Sequence, residues 1–467
     1  MTAQPLSIEL PGRVPDLLQL VAARPDRYPG LLCSLGSEHG AGMDVLFAAP
    51  TGGIALRQGV DQHVSGWGSG AAYAGGNTFL PALDAWCADE AIPSNVRSGF
   101  EGGWCVYLAY ELAGEIEPSV VFNYDSRQPV AVALRCPAAF VVERGAEPTA
   151  RLIVERDHEH LLPSLKRDYL RAQAGVLSLG EGVSTELAGS DPERFVRSVS
   201  SALAAIRAGD IYQANLSRQW RGRYTRSAAI ELFHALRRSN PAPFSALLRL
   251  PEIDILSSSP ERLVQVIGES VSTRPIAGTR PRGLTPEADR ALVAELIENP
   301  KERAEHVMLI DLERNDLGRI CKAGSVTVDE YMSVESYRHV HHIVSNVTGS
   351  LLPDSTPGDV IRALFPGGTI TGCPKVRCMQ IIAALENRAR GPYTGSLGYL
   401  NRSGNLDLNI LIRTVSLIDN EVRLSAGAGI VSDSNPQHEL TETDAKAQGM
   451  LRALHWSDSH TGFGSRD

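Results

Sequence analysis

LDLNILIRTVSLIDNEVRLSAGAGIV, residues 406–431, decides how the rest of the chain reads. It supplies two strand-like segments in succession, LDLNILIRTVSLI and EVRLSAGAGIV, with no helical period between them. Working outward, IYQANLS (211–217), VSNVTGSL (344–351) and GSLGYL (395–400) read as strands too, mixed with long helices in no regular β-α alternation. That pattern points to an α+β fold with large antiparallel sheets and excludes a doubly wound parallel sheet.

Toward the N-terminus, MDVLFAAP, GGWCVYLAYEL and PVAVALRC alternate with Gly- and Pro-rich turns and extend the β-rich character. Residues 176–193, VLSLGEGVSTELAGSDPE, read as a linker. A helix opens at Asp191-Pro192, carries Phe195, Val199, Leu203 and Ile206 at helical spacing, and stops at Gly209. The expected organisation is an N-terminal part (1–175), a second region (190–455) and a disordered polar tail (456–467).

The 467 residues carry a formal net charge of -9, which argues against a nucleic-acid footprint, so any anion must be bound locally. No apolar run approaches a membrane span, and MTAQPLSIEL lacks a signal-peptide pattern, so a cytoplasmic protein with no membrane partner is expected. Seven scattered cysteines without a C-x-x-C pair suggest neither disulfides nor a zinc ribbon.

Local anion binding has a candidate in RPIAGTRPRG, 274–283, where Arg274, Arg280 and Arg282 surround the small-residue turn Ala277-Gly278-Thr279. Guanidinium forks fit carboxylates, and glycine allows close approach. A solvated basic turn is the bland alternative.

NPKERAEH (299–306) and NPQHELTETDAK (435–446) share a design: an Asn cap, Pro at the first helical position, then early glutamates. Glu302 and Glu305 share a face, as do Glu439, Glu442 and Lys446. Either helix alone fits simple dipole complementation. Together they allow the paired glutamates to converge on a hard cation, Mg2+ rather than zinc. Unit charges about 4 Å apart at an effective dielectric near 20 repel by roughly 4 kcal/mol, so an anionic substrate beside these acids needs that cation.

FPGGTITGCPK (365–375) has Cys373 where a P-loop needs lysine, and SAGAGIVSDS (425–434) lacks the third glycine of a dinucleotide fingerprint, although its amides could clasp a carboxylate. His341 and His342 of HVHH point to opposite faces of a strand, which disfavours a transition metal. They shuttle protons or simply hydrogen-bond. Glu261 in SSSPER is a helix-start acid or a general acid.

SSSPERL, RPIAGTRPRG, KERAEHVMLIDLERNDLGR, HHIVSNVTG, FPGGTITGCPKVR, GSLGY, IRT and AGAGIVSDSNPQHELTETDAK together resemble the chorismate-utilising enzymes, among them anthranilate, aminodeoxychorismate, isochorismate and salicylate synthases. The likeness is strong over about 190–455, and the N-terminal part resembles that family's more variable half. It implies one large two-sheet α+β sandwich flanked by helices. Glu305 and Glu442 match the family's Mg2+ ligands, with Glu302 and Glu439 in support. Arg413, Tyr393, Lys446 and the amides of Gly427, Ala428 and Gly429 match positions around the substrate carboxylates or metal. Glu261 matches the acid assisting departure of the hydroxyl at carbon 4, and His342 the histidine beside it. Thr369 and Thr371 match a substrate-lining loop, and the Ala277-Gly278-Thr279 stretch holds chorismate.

Gln213 stands where isochorismate and salicylate synthases resemble one another in having a lysine base for water. A neutral amide cannot take that proton, so the resemblance implies ammonia as nucleophile, from a separate glutamine amidotransferase subunit. Ala277 replaces the lysine of many aminodeoxychorismate synthases, which taken alone favours anthranilate. LLCSLGSE breaks an LLES-type tryptophan-binding signature at Cys33, and GGWCVYLAYELAGEIEP, FPGGTITGCPK and DLNILIRT look closer to the aminodeoxychorismate branch. The expectation is therefore 4-amino-4-deoxychorismate, for p-aminobenzoate and folate biosynthesis. Anthranilate, or a non-catalytic chorismate- or amino-acid-binding scaffold, is the alternative.

Overall fold

The computed structural model describes residues 4–35, 42–58, 62–93, 99–177, 179, 185, 187–337 and 340–454. The expected tail, His339 and most of the linker's centre lie outside them.

Two antiparallel sheets, of 12 and 11 strands among the described residues, face one another. In the first, N-terminal strands join the C-terminal half where Gly30–Cys33 pairs with Phe244–Arg249. In the second the junction is Gly103–Leu108 against Ser396–Asn401. Both sheets thus run unbroken across the two expected regions, confirming the α+β two-sheet sandwich.

Strand alternation dictates the layers. Phe47, Cys105, Tyr107, Ile253, Ile255, Leu397 and Tyr399 belong to one buried apolar cluster drawn from both sheets. The first sheet's other face is covered by helices Leu162–Ala174, Ala229–Ser239 and Pro436–Leu454 through Leu165, Tyr169, Phe233 and Met450. The second sheet's other face carries helices Phe79–Asp89 and Pro357–Leu364, with Trp86, Trp104, Ile361 and Phe365 fully buried or nearly so.

The segment 406–418 is not the single strand its composition suggests. Leu406–Asn409 lies in the second sheet, Thr414–Ile418 in the first, and the chain crosses between them at 410–413. Arg413 takes φ +51° to make that crossing, a left-handed conformation that costs a non-glycine residue about 1–2 kcal/mol. Alongside, Ile253–Ser259 in the first sheet continues as Arg262–Ile267 in the second, crossing at Pro260-Glu261. The crossings are laced by Ile410 N donating to Glu261 O at 3.0 Å and Ser258 N to Arg413 O at 3.1 Å. Two charged side chains therefore project where two strands leave one sheet for the other.

The Asp191-capped helix Pro192–Arg207 and its Gly209 stop, φ +80°, form as expected. Described cysteines are all free, and six of the seven are buried. No helix among the described residues is long and apolar enough to cross a membrane.

Candidate active site

A cavity of about 550 Å3 opens at the sheet crossings. Glu261 is 5% exposed and accepts a 2.6 Å hydrogen bond from Thr369 Oγ1. Burial pushes its carboxyl up to about 7, against the opposing pull of Thr369 and Arg413. Arg413 lines the same cavity, its guanidinium shifted down by burial and supported by the Glu261 charge.

His342, 2% exposed, directs Nδ1 to Thr279 Oγ1 at 2.9 Å. Burial, then the Arg413 charge, depress it to about 4, so the ring is neutral. Its buried Nε2 has no partner among the described residues. His341 does face the other way, to Ser336 and Asp289, outside the cavity.

Both Asn-Pro helix starts form. Asn299 Oδ1 accepts from Lys301 N and Glu302 N, and Asn435 Oδ1 from Gln437 N and His438 N. Helices Pro300–Gly318 and Pro436–Leu454 thereby bring Glu302, Glu305, Glu439 and Glu442 to one cavity. Among the described residues no three acid, His or Cys side chains already ring a point that a metal could occupy. The donor set nevertheless fits a hard cation: all four are carboxylates. Glu305 is raised by burial and by Glu302, Glu439 by burial and by Glu442. Glu442 meanwhile pairs with Lys446 at 2.7 Å, Glu302 with Arg280 at 3.1 Å, and Lys446 Nζ donates to Gly427 O at 3.0 Å.

Gln213, 4% exposed, donates from Nε2 to Glu305 Oε1 at 3.2 Å, while its Oε1 has no partner among the described residues. Glycine permits close packing around it. A Cβ at Gly429 would meet Gln213 Nε2 at 2.5 Å, and one at Gly427 would meet Tyr393 Oη at 2.5 Å. Tyr393 is raised to about 12 by burial despite Arg390, whose guanidinium lies 5.6 Å from its ring centre.

Several expectations change. Ala277-Gly278-Thr279 is not a turn: it lies in strand Ile276–Pro281, where the register slips at Gly278, φ +60°. All three residues and Arg280 line the cavity, but the three arginines are each ion-paired with carboxylates. Arg274 pairs with Glu330 and Glu335, Arg280 with Glu295 and Glu302, and Arg282 with Asp289. These carboxylates neutralise the cluster, so it is scaffold rather than an anion cradle. Gly427-Ala428-Gly429 is no nest but part of strand Glu421–Ile430, paired with Gln213–Arg223. Its other edge pairs with Thr414–Ile418 only as far as Val415↔Leu424, which leaves backbone beside the cavity. The Ala428 side chain packs in the apolar cluster on the opposite face. Thr371 is fully buried, donates to Gly367 O at 2.9 Å, and does not line the cavity.

Asn215 was missed. It lines the cavity with a buried Oδ1 lacking a partner among the described residues. Its position two residues along a strand from Gln213, hence on the same face, was the available signal.

A family model described as chorismate binding enzyme matches residues 58–452. The chain is 42% identical over 390 residues to the anthranilate synthase component I-like protein of Synechocystis, covering 81% of this chain and 78% of that one. It is also 42% identical over 397 residues to aminodeoxychorismate synthase component 1 of Bacillus subtilis, covering 82% and 83%. Anthranilate synthase component I from Streptococcus pneumoniae superimposes with TM-score 0.77 at 31% identity, over 88% of this chain and 92% of that one. The menaquinone-specific isochorismate synthase of Escherichia coli shares the fold, with TM-score 0.70 at 20% identity over 97% and 96%. From the match across most of its length and the two-sheet architecture around this cavity, the chain belongs to the family of chorismate binding enzymes.

Proposed function

We propose that the chain aminates chorismate in a Mg2+-dependent reaction, with ammonia from a separate glutamine amidotransferase subunit, giving 4-amino-4-deoxychorismate. Gln213 carries the amination. It is a neutral amide fixed to Glu305 inside the cavity, and so offers no base to activate water. The nucleophile must arrive already competent. The B. subtilis aminodeoxychorismate synthase, aligned over most of both chains, fits this branch, while the equally identical anthranilate synthase component I-like protein of Synechocystis fits the other. Cys33, which is buried in the apolar core where an LLES-type signature would place a carboxylate, supports the aminodeoxychorismate branch. The seven free thiols suit a reducing cytoplasm.

The residues divide the work by charge. Glu302, Glu305, Glu439 and Glu442 would hold Mg2+, which when bound supplies the positive charge a substrate carboxylate needs beside four acids. Arg413 and Lys446 line the same cavity and would meet the remaining negative charge. Glu261, raised to about 7, retains a proton near neutrality and delivers it to the hydroxyl leaving carbon 4. Neutral His342 stands in the same cavity with Nε2 free to accept a hydrogen bond.

One observation favours a second reading, anthranilate as product: Ala277 lines the cavity where a lysine nucleophile would be expected. Either amination requires ammonium. Chorismate consumption that needs both Mg2+ and ammonium is the expected result. Consumption in Mg2+ alone, yielding isochorismate, would contradict the assignment.

A further inference from the structure

Helix Lys375–Glu386 ends where Asn387 takes φ +46°, and that left-handed residue turns the chain so that Arg390 comes back against Glu386. Glu111, a buried carboxylate from the N-terminal half, accepts from Arg390 N at 2.7 Å and from Gly391 N at 3.1 Å, which fixes the backbone there. The guanidinium is buried, 4.6 Å from the ring centre of Tyr110 and 5.6 Å from that of Tyr393.

Arg390 does not line the main cavity, yet its bonds reach residues that do. Nη2 donates to Asn215 O at 2.7 Å, on the strand that carries Gln213. Nη1 donates to Ile370 O at 3.4 Å, on the turn that carries Thr369, and to Thr394 Oγ1 at 3.2 Å, next to Tyr393. Nε and Nη2 grip Glu386 at 3.1 and 2.7 Å. Asn215 N in turn donates to Thr371 O at 2.9 Å, so strand and turn are joined a second time.

We infer, on the basis of the amination proposed above, that Arg390 is a positioning residue for the reaction: its buried fork sets the turn 368–370 against the strand 213–223 and thereby keeps the Thr369 hydroxyl on the acid Glu261.

The donor pattern calls for arginine. Five donors in a rigid plane meet five acceptors, supplied by one carboxylate, two carbonyls and a hydroxyl. A lysine ammonium has three donors at a single point and cannot span them. Burial opposes charge on both partners, but the Arg390 and Arg388 charges hold Glu386 below the usual carboxylate range, and the Glu386 charge holds Arg390 above its ordinary value. Apolar groups of like size often replace such a pair without loss of stability, so what this network adds is the geometry it imposes.

That geometry is tested by coupling Arg390→Lys to Thr369→Val, with chorismate consumption in Mg2+ and ammonium as the readout. Lysine keeps the charge and loses the fork. In Arg390→Lys kcat should fall about tenfold with KM for chorismate held within about twofold. The alkaline limb of the kcat profile should move to higher pH, because Glu261 loses the donor that favours its carboxylate. In the Thr369→Val background the same substitution should add no further pH shift and no more than about a twofold loss, since both changes act through one hydrogen bond. Arg390→Gln leaves Glu386 paired with Arg388 at 3.1 Å and should reproduce both results, so that misfolding of one variant does not decide the matter. An alkaline limb that stays in place, losses that multiply in the double variant, or a loss confined to thermal stability would make Arg390 purely structural and overturn the inference. A parent chain that consumes no chorismate with Mg2+ and ammonium would instead overturn the function proposed above, and the positioning role with it.

Discussion

Thr369 Oγ1 donates to Glu261 Oε1 at 2.6 Å, and this hydroxyl restrains a carboxyl that burial has already pushed up to about 7. The donor favours the carboxylate, so its removal favours the acid. In Thr369→Val the alkaline limb of the kcat profile should move to higher pH, and kcat should fall about tenfold as the acid loses its orientation. An alkaline limb moving to lower pH would refute this assignment of donor and acceptor.

Glu261→Gln removes the proton but keeps the shape. Turnover should drop by roughly 10^2–10^4 while chorismate still binds, because general acid catalysis contributes about that much. Binding can be followed by calorimetry on the inactive variant. Retained turnover would show that the leaving group departs without this acid.

Turnover should cease on chelation and return with Mg2+. Glu302, paired with Arg280, is proposed to help hold the metal, so Glu302→Ala should raise the Mg2+ concentration giving half-maximal rate by roughly 10–100-fold. An unchanged Mg2+ dependence would remove it from the set.

Gln213→Lys places a base beside Glu305 where the amide now sits. Aminated product should fall and a hydroxylated isomer of chorismate should appear in ammonium-free buffer, read by chromatography and mass. Absence of the isomer would show that this position alone does not choose the nucleophile.

Glu313 lies outside the cavity lining, and burial followed by the Asp316 charge raises its carboxyl to about 7. Between roughly pH 4.5 and 7 the folded chain then binds more protons here than the unfolded one, so this group's contribution to stability declines as pH rises through that window. Glu313→Gln abolishes the decline. Denaturation at pH 5 and pH 8 should show the variant gaining on the parent protein at the higher pH, by up to roughly 3 kcal/mol. An equal difference at both values would mean that Glu313 ionises normally.

The legible parts of this sequence were those governed by local rules. Asn299 and Asn435 with their following prolines announced two helix starts, and both form with the caps expected. IYQANLS read as a strand, and Gln213–Arg223 forms one. Sheet membership was not legible, because 406–418 is uniformly strand-like although its halves belong to different sheets. The crossing depends on Arg413 adopting φ +51°, which tertiary contacts impose and composition does not signal. The arginine cluster misled for a related reason. Its neutralising partners Glu330, Glu335, Glu295 and Asp289 come from 7 to 61 residues away, and only the fold brings them together. Thr371 differs from Thr369 by a turn geometry that points one hydroxyl at Glu261 and the other at Gly367 O.

The most direct test is the identity of the product. The purified chain, given chorismate, Mg2+ and ammonium with no lyase present, should form a compound that keeps the enolpyruvyl group and carries an amino group in place of the carbon 4 hydroxyl. Fluorescent anthranilate with an equivalent of pyruvate would contradict the account.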